Sequence, residues 1–147
     1  MSNTLTGQFE HTVDAKGRLI LPSKLRDKLG DSFIVTLGLD GCLYIFSPAG
    51  WDKFTAQLED LPGTEDVRKT KRRFMANAAE CDIDKQGRTL IPAKLREKVG
   101  IDKDVIMVGM LNKIELWSKE RFEEQEDDDS ADVQAAAETL AKLGVSF

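Results

Sequence analysis

One histidine, one tyrosine, two cysteines and four prolines in 147 residues leave several common chemistries without their parts. His11 has no sequence partner that would complete a triad or a zinc site, and a lone histidine on a strand is usually structural. Cys42 and Cys81 lie far apart and form no C-x-x-C pair, so they are expected as buried, reduced thiols. Gly17 and Gly87 stand singly, so no glycine-rich phosphate loop is present. The acidic run from Glu123 to Asp132 lacks the spaced ligands and glycine of a calcium loop. The opening MSNTLTGQFEH has no apolar h-region, and no stretch nears the roughly 18 apolar residues of a membrane helix. An enzyme is therefore not expected, nor a metal, a cofactor or a membrane partner, and the cytoplasm is the expected compartment.

What the chain has instead is a repeat. Residues 13 to 30 read VDAKGRLILPSKLRDKLG and residues 83 to 100 read IDKQGRTLIPAKLREKVG, with nine of eighteen aligned positions identical. Most mismatches are mild, such as Val13/Ile83, Asp27/Glu97 and Leu29/Val99. A duplication at this spacing implies two related half-units. Each half is too short to bury its apolar face well alone, so packing half against half is expected.

The net charge of −5 is unevenly spread. Residues 123 to 132 hold seven acidic groups and no basic one, whereas residues 1 to 122 carry 20 basic and 18 acidic side chains. Positions 14 to 28 hold five basic and two acidic groups, and positions 84 to 98 hold the same. Basic charge is concentrated where the repeat is.

Along the chain, residues 8 to 13 alternate as a strand, with Phe9, His11 and Val13 on one side. Asp14 to Arg18 predicts a tight turn, with Gly17 at positive φ and the Asp14 carboxylate accepting from turn amides. Arg18 to Leu21 is β-prone, Pro22 suits the first turn of a helix, and Ser23 to Leu29 predicts a short helix closed by Gly30. FIVTL at 33–37 and CLYIF at 42–46 form a hairpin signal, repeated at 105–109 and 113–118, where Ser47 matches Ser118. Helices are expected from Pro48, from Thr64 (as N-cap) to about Ala76, from Glu120 to Asp129, and over 131–143. The last is Ala-rich, with Val133, Ala136, Leu140 and Leu143 as an apolar stripe for a partner segment.

Nucleic-acid binding is the chemistry these residues suit. Asp14-x-x-x-Arg18 and Asp84-x-x-x-Arg88 each place an arginine at the exit of a glycine turn, with Lys16 beside the first and Lys85 beside the second. A guanidinium bonds guanine O6 and N7, or a phosphate, through two N–H groups at once. An Asp–Arg pair that only holds the turn fits the same spacing. The duplicated positive charge favours binding, since phosphate contacts supply much of the affinity for DNA. Asp14, Gly17, Asp84 and Gly87 are assigned to shaping the turns. Arg68, Lys69, Lys71, Arg72 and Arg73 form another basic cluster, for which a solvated face or a subunit contact is the commoner meaning. Lys24, Arg26 and Lys28 sit on a helix barely two turns long, assigned to support.

The strand, the D-x-K-G-R turn, L-x-x-P, a basic short helix and a hairpin together resemble the SpoVT/AbrB swapped-hairpin DNA-binding fold. Two such units in one chain, with AECDIDKQGR and GMLNKIELWS in the second, resemble the MraZ family of bacterial transcriptional regulators. The resemblance covers residues 7 to 143. It implies an α+β fold of two tandem units, 7–50 and 77–122, sharing one pseudo-two-fold β-barrel. A helical linker over 51–76 and a C-terminal helical segment over 123–147 would lie outside it. It further implies a ring-shaped homo-oligomer on short G-rich repeats of double-stranded promoter DNA, its own promoter included, in the division and cell-wall gene cluster. Arg18 and Arg88 would be the matching DNA contacts in a nucleoid-associated protein. Gln86 stands where the first turn has Lys16, so the two turns need not bind equally. An antitoxin-like or scaffold module is the alternative, since AbrB-like folds occur in antitoxins.

Overall fold

The computed structural model describes residues 4–129 and 133–145. In the first half these form β1 (Gln8–Thr12), β2 (Arg18–Ile20), α1 (Ser23–Leu29), β3 (Ser32–Leu37), β4 (Leu43–Phe46), α2 (Pro48–Glu59) and α3 (Glu65–Ala76). The second half repeats the order with β5 (Ala79–Asp82), β6 (Arg88–Leu90), α4 (Ala93–Lys98), β7 (Asp104–Gly109), β8 (Ile114–Ser118), α5 (Lys119–Asp129) and α6 (Val133–Lys142). Of the expected last helix, residues 131 and 132 lie outside the described residues.

Local chemistry sets most element ends. The Ser47 hydroxyl accepts from Gly50 N at 3.0 Å to open α2, and Ser118 does the same for Arg121 N at 3.1 Å in α5. Thr64 caps α3 through Val67 N, and Gly30 closes α1 at φ 91°. Pro22 stands directly before the helix, which spans Ser23–Leu29 as expected. Its carbonyl accepts from Leu25 and Arg26 amides, and its φ of −57° lets the helix begin at Ser23.

The halves exchange strands. A six-stranded antiparallel sheet runs β1-β7-β8-β4-β3-β5, so β1 pairs with the second half's hairpin and β5 with the first half's. A separate two-stranded ribbon joins β2 to β6. β1 and β5 end this ladder as its edges. Each is followed at once by an Asp-led turn that diverts the chain into the ribbon.

Two apolar layers hold the sheet. One face and the ribbon enclose Leu19, Leu21, Leu25, Phe33, Val35 and Ile45 with Ile91, Leu95, Val105, Met107, Ile114 and Leu116, drawn from both halves. On the other face an aromatic layer of Tyr44, Phe46, Trp51, Phe54, Phe74, Trp117 and Phe122 seats α2, α3 and α5. Phe54 stacks on Phe46 with centroids 4.8 Å apart and meets Phe74 edge-on at 5.1 Å. No side chain of α6 is buried. Among the described residues, no helix is long and apolar enough to cross a membrane. Cys42 and Cys81 are free and buried. Burial pushes both thiols up, Cys81 to about 11.

Candidate nucleic-acid interface

The two Asp-x-x-x-Arg turns fold with one hydrogen-bond pattern. Asp14 Oδ1 accepts from the Lys16 and Arg18 amides, both at 2.9 Å, and Oδ2 accepts from Arg18 Nε at 2.8 Å. Asp84 Oδ1 accepts from Gln86 N and Arg88 N at 2.9 Å, and Oδ2 from Arg88 Nε at 2.9 Å. The Asp main chain closes each turn, receiving Gly17 N or Gly87 N on its carbonyl at 2.9 Å. The bond from the Arg18 amide is the largest cause holding the Asp14 carboxyl below its ordinary value, and the Arg88 amide does the same for Asp84.

The pair therefore both shapes the turn and aims the arginine. Only Nε is engaged; among the described residues neither Nη group of Arg18 or Arg88 has a partner. Both arginine side chains are about two-fifths exposed. A guanidinium gripped at Nε presents its outer edge as a pair of parallel donors.

The ribbon brings the two arginines together. Its register sets Arg18 opposite Leu90, Leu19 opposite Thr89, and Ile20 opposite Arg88. Residues directly opposite share a face, so Arg18, Ile20, Arg88 and Leu90 form one outward array while Leu19 and Thr89 turn into the core. Thr89 is accommodated there because its hydroxyl donates to Asp82 O at 2.8 Å. The turns interlock as well: Leu21 N donates to Gly87 O at 2.9 Å and Ile91 N to Gly17 O at 3.0 Å.

Helix arginines, assigned to support from the sequence, cross between halves. Arg96 of α4 lies over Gly17, where an added methyl would meet its Nη2 at 2.5 Å. Arg26 of α1 lies over Gly87, where a methyl would collide with Nη1. With φ of 88° and 81°, the two glycines are required both by backbone conformation and by this cover. The signal for the crossing was absent from local spacing, since each arginine covers a turn about 60 to 80 positions away. The signal for Ile20 and Leu90 was present, in the alternation of Arg18-Leu19-Ile20-Leu21 and Arg88-Thr89-Leu90-Ile91.

Of the other candidates, Lys16 is exposed on the first turn. Lys85 is exposed too, and lines a depression of about 410 Å³ with Arg26, Asp27 and Asp31. Three of the five basic residues of the α3 cluster have partners within the chain. Arg68 donates to Gly63 O, Lys69 pairs with Glu65 at 3.1 Å, and Arg73 donates to Gly38 O at 2.9 Å.

Against known proteins, the model of the family described as "MraZ protein, putative antitoxin-like" matches twice, over residues 4–74 and 74–143. The chain belongs to the MraZ family. Relatives named "Transcriptional regulator MraZ" align over almost their whole length. That of Lachnoclostridium phytofermentans is 50% identical over 141 residues, covering 96% of this chain and 98% of the relative. That of Thermoanaerobacter pseudethanolicus is 49% identical over 142 residues, covering 96% and 99%. That of Lactiplantibacillus plantarum is 45% identical over 135 residues, covering 91% and 96%. The boundary between the two MraZ-family matches falls at the end of α3, so each match contains one Asp-x-x-x-Arg turn.

Proposed function

We propose that this chain is a DNA-binding transcriptional regulator of the bacterial cytoplasm, associated with the nucleoid, that grips duplex DNA with the β2–β6 ribbon and the two flanking turns. Arg18 and Arg88 contact guanine O6 and N7, while Lys16 and Lys85 contact phosphates on either side. The observation that carries this is the pairing of two Nε-clamped arginines on one outward ribbon, with their Nη edges unengaged. A two-stranded ribbon has the dimensions to enter a major groove. The names of the MraZ-family relatives support the regulator class.

The half-units 7–50 and 77–122 act as one body about a pseudo-two-fold axis, completed as a barrel through the ribbon. Copies assemble as a ring, and several copies engage short G-rich repeats in the promoter of the division and cell-wall cluster, including the chain's own. Each site is weak alone, and linked sites raise the affinity through effective concentration. Arg18→Ala should abolish the gel shift of the chain's own upstream region while oligomer mass by light scattering stays that of the unsubstituted protein. A full shift from the folded variant would refute the contact assignment. Footprints at regular spacing over that region, lost at high salt, would support the repeat-binding arrangement.

A further inference from the structure

The outward face of the ribbon carries more than arginine. Ile20 is 53% exposed and Leu90 57%, on strands whose neighbouring residues Leu19 and Ile91 are fully buried. Single exposed aliphatics are ordinary on a protein surface. These two are set by register directly opposite Arg88 and Arg18, so that each arginine of one half stands beside an aliphatic of the other. Cβ atoms so placed are about 5 Å apart. A partner seated on this face must offer anionic or acceptor groups to the Nη edges and, at the same depth, something apolar.

The major groove offers one apolar group, the C5-methyl of thymine, beside the acceptors of guanine. Base pairs follow one another at about 3.4 Å, so an arginine and the aliphatic opposite it fall on neighbouring steps. We propose that Ile20 and Leu90 are specificity-determining residues that pack on thymine methyl groups next to the guanines held by Arg88 and Arg18. This rests on the DNA-binding function proposed above. Two half-exposed aliphatics with no aromatic beside them give little apolar area for anchoring in a lipid surface, whereas they suit isolated methyl groups in a groove. The charge around them, five basic and two acidic groups in each repeat, complements a polyanion.

The test uses the full chain and the duplex of its own upstream region, prepared with thymine or with uracil throughout. Uracil keeps the O4 acceptor and the pairing and lacks only the methyl. The unsubstituted protein should bind the uracil duplex about fourfold more weakly per contacted methyl, the equivalent of roughly 0.8 kcal/mol for one buried carbon group. The double variant Ile20→Ala, Leu90→Ala should bind thymine DNA more weakly and no longer distinguish the two duplexes, with unchanged oligomer mass and circular dichroism. Ile20→Val, which keeps a β-branched side chain, should give an intermediate ratio and guards against a folding defect. Equal affinity of the unsubstituted protein for both duplexes, with binding still abolished by Arg18→Ala, would overturn methyl recognition and leave DNA binding standing. Binding to neither duplex would overturn both. Two other results would overturn methyl recognition: an altered oligomer mass in the double variant with thymine preference retained, or Leu90-dependent binding to anionic phospholipid vesicles without thymine preference.

Discussion

At each turn one carboxylate oxygen ties two backbone amides and the other holds an arginine Nε. Asn in place of Asp keeps the first acceptor and replaces the second with a donor, which frees the guanidinium without undoing the turn. Asp14→Asn should therefore leave the fold intact and weaken DNA binding by roughly 1.5-fold to fivefold, the range of an exposed ion pair. A rise in affinity, from removal of a negative charge beside DNA, would show that orientation does not matter. The same carboxylates set an acid limit. Both have folded pKa values below the ordinary value, so their contribution to stability is complete above about pH 5, the region over the unfolded value near 3.9. It falls as pH drops toward the lower folded values, where the carboxyls protonate in the native state too. Urea midpoints measured from pH 7 to 3 should show a constant gap between the unsubstituted protein and Asp14→Asn, Asp84→Asn down to about pH 5, and a shrinking gap below it.

Helices on the aromatic face differ in how they are held. α3 is anchored by Phe74, buried between Tyr44 and Phe54, and by Thr36 Oγ1, which donates to Phe74 O at 2.6 Å. α6 has a stripe of the expected kind, but Val133 and Leu143 are each 74% exposed. Phe74→Ala should cost about 3 kcal/mol or more, the usual range for a buried phenylalanine. Ending the chain at Asp129 should move the melting temperature by less than about 2 °C, because no side chain of the removed helix is buried. Thermal unfolding followed by circular dichroism checks both. A large loss on truncation would mean that α6 has a seat on the sheet.

Across the whole molecule, neither half can complete its own sheet. β3 obtains one neighbour from β5, β7 one from β1, and β2 finds its strand partner in β6. Residues 1–76 alone would leave β1 and β2 without partners and expose one edge of β3 and one of β4. Separately prepared, residues 1–76 and 77–147 should each lack a cooperative unfolding transition, and mixing them in equal amounts should restore one. Independent cooperative folding of either fragment as a monomer would show that strand exchange is not required. Interlocking also explains how the candidate site arises: its four outward residues come two from each half, 70 positions apart.

The sequence by itself determined what is decided within a few residues. The Asp–Gly turns, the short helix closed at Gly30, the hairpins, the matching Ser47 and Ser118 and the duplication all follow from side chains acting on nearby backbone. Arg18 and Arg88 could be singled out for the same reason, each sitting at a fixed offset from its aspartate. Only the tertiary structure decided that β1 goes to β7 and β5 to β3, that both arginines share one ribbon, that Arg26 and Arg96 cover the opposite half's glycines, and that no side chain of α6 is buried. Strand pairing depends on which edges remain open after the rest of the chain has folded, and two nearly identical halves present the same local signals to both choices. Exchange is chosen by the shared core, where Leu19, Leu21 and Leu25 pack with Ile91, Leu95 and Val99, a contact between residues that no local pattern can align.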